Sequence, residues 1–343
     1  MSFVEAIVLG LVQGLTEFLP ISSSGHLRIV PLLFGWSQDR GAAFTAVVQL
    51  GTLVAALAYF RRDILTIVRA WTVETFTIGR PRSHDAQLGW MIALGTIPIV
   101  VAGLALKKHI HGDFRRLTVI ASSLIFFGLL MLAAERFQRR RVAQGHGLKS
   151  METTTWADAL WVGLAQALAL VPGASRSGVT ITASLFRGVE RAAAARFSFL
   201  LSLPAVFLAA AKEMYDEQQK LLADSDQAVA LLVATIVSGV VGYASIALLL
   251  RFLRTHTTYV FVAYRVALGA LVLAMVFSGR LPDREVAPAP TGDSSSAAAD
   301  AERRQLAARL DGILTPQFGG RARRLDLAPT HPARLAAFRA EHV

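Results

Sequence analysis

Gln13-Gly-Leu-Thr-Glu-Phe-Leu-Pro-Ile-Ser-Ser-Ser-Gly-His26 decides how the rest of the chain is read. Most of this stretch would pass as a membrane helix, yet its centre holds an acid, three serines and a histidine. Such groups cost on the order of a few kcal/mol each in lipid, so they persist where protein buries them or where they line a wet cavity. Gln13 and Glu17 stand four apart and share one helix face. Pro20 stops that helix, and Ser22, Ser23 and Ser24 suit the start of another, because serine oxygens cap free amides. The stretch predicts a helix, a sharp polar turn at membrane depth, and a second helix.

The surrounding composition agrees. With 343 residues, 54% hydrophobic and 17% charged, the chain is too apolar for an ordinary soluble domain. Continuous apolar spans are read at 42–60, 87–107, 117–134, 193–212, 227–250 and 259–278, each long enough to cross a bilayer. The stretches 3–34 and 158–188 instead hold two shorter apolar pieces around a Pro-plus-serine turn, the pattern of a re-entrant hairpin. The expectation is an all-α polytopic membrane protein with about six transmembrane helices and two re-entrant helical hairpins. No basic leader precedes the first apolar residues, so no cleavable signal peptide is expected. The absence of cysteine excludes disulfides, Fe–S clusters and thiolate zinc sites. The net charge of +11 does not point to nucleic acid, since the arginines sit in loops and in the tail and form no basic stripe with interleaved aromatics.

Sliding the chain by 153 positions exposes an internal repeat. Gly10, Leu11, Gln13 and Leu15 fall on Gly163, Leu164, Gln166 and Leu168; Ser22, Ser24 and Gly25 fall on Ser175, Ser177 and Gly178. The match resumes at Leu32, Gly35, Phe44 and Leu50 against Leu185, Gly188, Phe197 and Leu203, with Pro20 and Pro172 one place out of step. Each unit, about 3–60 and 158–212, is a hairpin followed by a long span. Three crossings separate the two starts, so the second unit enters from the opposite face: an inverted-topology repeat whose tips meet near mid-membrane. Arg61, Arg62, Arg69, Arg80, Arg82, Arg136, Arg139, Arg140, Arg141, Lys149, Arg251 and Arg254 make one side the more basic, hence cytoplasmic. The first hairpin then opens outward. Residues 1–278 form the membrane-embedded domain, and 279–343, rich in Pro, Ala, Ser and Arg, read as a disordered tail.

The second tip, Val171-Pro-Gly-Ala-Ser-Arg-Ser-Gly-Val-Thr180, places Arg176 at a helix N-terminus, where a cation opposes the helix dipole. That placement makes sense if an anion is shared by Arg176, the free amides and the hydroxyls of Ser175, Ser177 and Thr180, with phosphate the natural guest. The alternative is a structural ion pair between Arg176 and Glu17. The first tip supplies the complement: Glu17 as a base or cation ligand, Gln13 as a neutral oxygen on the same face, Ser22, Ser23 and Ser24 as hydroxyls, and His26 to move a proton. A divalent cation, Mg²⁺ or Ca²⁺, would suit Glu17, Gln13 and phosphate oxygens. Together these groups suggest phosphoryl transfer. A secondary transporter built on the same inverted repeat is the main alternative.

The stretch 13–26 resembles the (Glu/Gln)-x-x-x-Glu motif and Ser-rich turn of the bacitracin-resistance type undecaprenyl-diphosphatases. Pro172-Gly-Ala-Ser-Arg-Ser-Gly-Val-Thr180 is similar to their second signature, Pro-Gly-x-Ser-Arg-Ser-x-x-Thr, at every specified position. The likeness runs over about 1–278, including Phe197-Ser-Phe-Leu-Leu201 and Tyr264-Arg265, and leaves the tail out. It implies an enzyme of the bacterial cytoplasmic membrane that removes the terminal phosphate of undecaprenyl diphosphate at the outer leaflet. That reaction recycles the lipid carrier for peptidoglycan synthesis and confers bacitracin resistance. The resemblance also implies a divalent-cation requirement and a homodimer. On the matching positions, Glu17 and Gln13 would be metal or base residues, Ser23 the nucleophile, His26 its assistant, and Ser175, Arg176 and Thr180 the diphosphate holders. Gln13 stands where other members carry Glu, so this chain brings one carboxylate fewer to a metal.

Overall fold

Backbone amides and carbonyls immersed in lipid find no water, so each apolar run closes its own hydrogen bonds as a helix. The computed structural model describes residues 1–36, 41–106, 114, 116–221 and 225–283. Helices α1 (Phe3–Phe18) and α2 (Ser23–Leu33) form the first hairpin; α3 (Gly41–Tyr59) and α4 (Arg61–Val73) follow. After a π-helical turn at Glu74–Ile78 come α5 (His84–Ala105) and α6 (Leu117–Ala143). The second hairpin is α7 (Trp156–Gln166), extended by a 3₁₀ turn Ala167–Leu170, and α8 (Arg176–Phe186). Helices α9 (Arg191–Leu221), α10 (Ser225–Thr255) and α11 (Tyr259–Phe277) complete the bundle.

Among the described residues five helices, α5, α6, α9, α10 and α11, are long and apolar enough to cross a membrane, and α3 with α4 makes a sixth if counted as one span bent by 76°. The protein is therefore a multi-pass, all-α membrane protein. Helix α4 was not among the expected elements: Arg61, Arg62, Asp63 and Arg69 break its hydropathy, although Ile64, Ile67 and Trp71 line one face of it. Outward-facing Phe126, Ile236, Val240, Leu248 and Leu271 present the apolar surface that lipid requires.

The two hairpins are built alike. Ser22 and Ser175 cap α2 and α8, and among the described residues they are the only non-glycine residues with positive φ, 78° and 68°. Such a backbone costs on the order of 1 kcal/mol or more and is held here by the cap itself. Each Ser Oγ accepts from the amide three residues on, Gly25 at 3.3 Å and Gly178 at 3.2 Å. At the far ends, Gly35 and Gly188 adopt the left-handed conformation, and Trp36 N–H donates to the Pro31 carbonyl as Val189 N–H does to that of Ser184.

Small residues bring the hairpins onto their neighbours. A Cβ on Gly10 would lie 2.4 Å from the Ala234 carbonyl oxygen, and one on Gly163 would lie 2.6 Å from the Gly95 backbone. Thus α1 seats against α10 and α7 against α5, by the close approach that small residues allow in lipid. The base of the first hairpin, at Ala6 and Leu9, packs with the starts of α3 and α10 through Phe44, Val48, Ala230 and Ala234. The base of the second lies at the other end, where Lys149 and Arg187 both pair with buried Asp158, at 2.7 Å each. There Arg191 also pairs with Glu135 and Arg196 with Asp63. The hairpins thus approach each other from opposite ends of the bundle.

The membrane body continues past 278. Leu281 is buried against α6 and α11, and Asp283 caps α6 through its carbonyl to Leu117 N–H (3.0 Å) and its carboxylate to Thr118 N–H (2.8 Å). The expected tail loses its first five residues to this docking. Its remainder, 284–343, lies outside the described residues.

Candidate active site

The tips meet on Glu17. Its Oε2 accepts from Gln13 Nε2 (3.0 Å) and from the Ser23 hydroxyl (2.6 Å). Its Oε1 accepts from Gln49 Nε2 (2.8 Å) and from the Arg176 guanidinium. One carboxylate therefore gathers four donors from α1, α2, α3 and α8. Gln13 reaches it because i and i+4 stack on a helix face, and Ser23 because the Leu19–Ser22 turn folds α2 back over the end of α1. The Arg176–Glu17 ion pair, one of the two alternatives the sequence left open, is present, and Arg176 keeps 19% of its side chain exposed.

That exposed part faces a cavity of about 370 Å³. Glu17, Ser22, Ser23, Ser24 and Gln49 line it from one side, Ser175 and Arg176 from the other. Apolar residues of α5, the 3₁₀ turn and α9 form its walls, with Lys212 and Glu213 at its rim. Both capped helix starts, α2 and α8, open onto it. Of their first-turn amides, those of Gly25 and Gly178 are taken by the Ser22 and Ser175 caps, the others have no intrahelical acceptor, and the positive dipole ends favour an anion beside Arg176. A small apolar-walled cavity with an acid, hydroxyls and a cation at its floor is built to hold a charged head on an apolar body.

Other expected site residues lie just behind this surface. His26 Nδ1 lies 2.7 Å from the Ser22 carbonyl, which can only accept, so Nδ1 carries the proton and Nε2 accepts from the Tyr264 hydroxyl at 2.6 Å. His26 is thus tied to the backbone of the serine turn and to α11, while the Ser23 proton points at Glu17. Ser177 reaches across to the Leu19 carbonyl (3.1 Å), joining the tips. Thr180 is fully buried and bonds Ser198 and the Arg176 carbonyl, where it fastens α8 to α9 away from the cavity. Gln13 is buried one turn below Glu17, with its Oε1 lacking a hydrogen-bond partner.

Two contributors were not read as site residues. Gln49 sits in an otherwise apolar span, itself a signal that it faces protein. Arg265, fully buried in α11, donates Nη1 to the Pro20 carbonyl (3.0 Å), Nη2 to those of Gly173 (3.0 Å) and Ala174 (2.9 Å), and Nε to that of Leu124 (3.2 Å). One guanidinium thereby clamps the two turns together, its charge facing the carboxyl-terminal ends of α1 and α7. Room for it is made by Gly178, where a Cβ would lie 2.7 Å from Arg265 Nη1.

A divalent cation can be tested against these groups. Among the described residues no cluster of three or more His, Cys, Asp or Glu could hold one. The donors present are all oxygens, however: Glu17, the unpartnered Oε1 of Gln13 and the serine hydroxyls. Such a set fits a hard cation of the Mg²⁺ kind, which takes one or two carboxylates and completes its shell with phosphate and water.

An integral membrane protein with two paired helical hairpin tips at a charged, apolar-walled cavity is the class that fold and site define. Residues 6–271 match the family model described as Bacitracin resistance protein BacA. The chain is 54% identical over 282 residues to an undecaprenyl-diphosphatase of Chloroherpeton thalassium, covering 82% of this chain and 99% of the relative. It is 53% identical over 283 residues to an undecaprenyl-diphosphatase of Chlorobium limicola, with the same coverage. The chain belongs to the BacA bacitracin resistance protein family.

Proposed function

We propose that this protein hydrolyses undecaprenyl diphosphate to undecaprenyl phosphate and inorganic phosphate. The observation that carries the reading is Glu17 accepting a hydrogen bond from the Ser23 hydroxyl at 2.6 Å while pairing with Arg176 on the floor of a cavity with apolar walls. The reactive groups thus stand on one tip and the charge-neutralising group on the other.

The steps follow from that geometry. The diphosphate displaces Glu17 as the partner of Arg176 and rests on Arg176, Ser22, Ser24, Ser175 and the first-turn amides of α2 and α8. Ser23 Oγ attacks the terminal phosphorus as its proton passes to Glu17, and undecaprenyl phosphate departs with the bridging oxygen. Glu17 returns that proton to the bridging oxygen as it leaves, so it is again a carboxylate when it deprotonates the water that frees phosphate from Ser23, whose Oγ then takes the proton back. Gln13 and Gln49 hold the Glu17 carboxylate in place, and His26 fixes the serine turn through the Ser22 carbonyl. Glu17 and Gln13 would hold the divalent cation, which supplies neutralisation of phosphate charge. The inverted repeat, the basic end of the bundle as the cytoplasmic one, and opening to the outer face complete the reading. It places the protein in the bacterial cytoplasmic membrane, recycling the carrier for peptidoglycan synthesis and giving bacitracin resistance. A homodimer is part of the same family expectation.

Phosphate release from a C55 diphosphate by purified protein in detergent, with and without EDTA, tests it. Stoichiometric release that EDTA suppresses is expected. Binding without release would make the protein a carrier of this lipid and not a phosphatase.

A further inference from the structure

A second, almost wholly apolar groove of about 540 Å³ lies beside the site, between the α3–α4 bend, α5 and α9. The two cavities adjoin, and Val100 of α5 and Leu208 of α9 line both. Helix spacing explains why. On α9, Leu200, Pro204, Leu208 and Lys212 recur every fourth residue and so form one stripe. Its first three members line the groove, and its last two line the site. The stripe turns from aliphatic to charged where the cavity reaches its rim.

The groove is not a byproduct of ordinary helix packing. Its floor is α4, the helix bent by 76° from α3, whose Ile64, Ile67 and Trp71 face into it. A straight continuation of α3 would leave no such floor. The charged residues of α4 are turned away: Asp63 pairs with Arg196, and Arg61, Arg62 and Arg69 are exposed. Only Thr96 among the lining side chains carries a hydroxyl, and that hydroxyl is spent on the Ile92 carbonyl at 2.7 Å. The other polar lining atom, the Trp71 indole nitrogen, is buried without a partner, and no charged side chain lines the groove to hold a headgroup.

We infer that this groove is the seat of the substrate's polyprenyl chain, running from the diphosphate at Arg176 past Val100 and Leu208 onto α4. The inference rests on the reading of the site as a polyprenyl-diphosphate phosphatase and adds where chain length is sensed. Isoprene units near the head pass the shared Val100–Leu208 threshold, and those beyond lie against Ile67 and Trp71. Affinity then rises with prenyl length until the groove is filled, since each buried carbon adds apolar contact.

The test compares a C55 with a C15 prenyl diphosphate. Ala93→Trp on the α5 wall and Leu203→Trp on the α9 wall each fill the groove beyond the threshold. Each is expected to lower the ratio of kcat/KM for C55 over C15 by about tenfold. A parallel fall for both substrates, or no change for either, overturns the inference. A diazirine placed far along a C55 chain, photolysed on the unaltered protein, is expected to label the 64–71 peptide. Labelling of α10 or α11 alone would also overturn it. Absence of phosphate release from both diphosphates by unaltered protein would instead strike the catalytic reading, with the photolabel still reporting on the groove.

Discussion

Replacing Arg265 by Lys tests whether one buried guanidinium sets the distance between the tips. Its four hydrogen bonds end on Leu124 of α6, Pro20 of the first turn, and Gly173 and Ala174 of the second, between 2.9 and 3.2 Å. An ammonium keeps the charge but offers its donors from one point and cannot span three segments. At least two carbonyls, one in each turn, would lose a charged donor while buried, at about 1–3 kcal/mol each. The expected loss is therefore about 2–6 kcal/mol, most of it felt as drift of the turns. A misplacement of about 1 Å between reacting groups costs about 10²-fold in rate. Phosphate release by Arg265→Lys should fall by about that factor, together with a lower midpoint of unfolding in detergent. A variant of unchanged midpoint and kcat/KM would refute the clamp.

Four further outcomes follow from the same geometry. Ser23→Ala should lose about 10³-fold in kcat with its folding midpoint preserved, because Ser23 contributes one half-exposed hydroxyl; near-normal turnover would make water the direct nucleophile. Arg176→Ala should lower kcat/KM about 10²–10³-fold, measured by phosphate release, since the diphosphate would lack its cation in an apolar-walled cavity. Gln49→Leu removes one of the four donors to Glu17 and should lower kcat about tenfold, with KM nearly unchanged. Gly51→Leu should cost about 3 kcal/mol in detergent unfolding, because even a Cβ there would lie 2.0 Å from the Thr235 carbonyl oxygen between α3 and α10.

The polar breaks in apolar runs carried most of what the sequence could tell. Pro20 and the three serines marked the first turn, and the offset of 153 residues found its counterpart; the matched φ values of Ser22 and Ser175 are what that pattern becomes in three dimensions. Glu17 and Arg176 stood out because each is an ionisable group at membrane depth. Side-chain direction was not legible. Thr180 belongs to the signature yet points to Ser198, and His26 turns its ring toward Tyr264, because helix register relative to the neighbours decides which face meets the cavity. Arg265 was visible as an arginine in an apolar span, but its targets are main-chain carbonyls, which leave no mark in a sequence. Helix α4 was hidden by its own arginines, although its apolar face follows a helical spacing.

A kinetic cycle between the two tips addresses the central claim most directly. Phosphate release from C55 diphosphate is measured for Ser23→Ala, Arg176→Ala and the double variant. If both tips act on a single bound diphosphate, the double variant should be about as slow as the slower single one, since groups that work as a unit lose their function together. Losses that multiply independently would mean that Ser23 and Arg176 do not serve the same reacting phosphate.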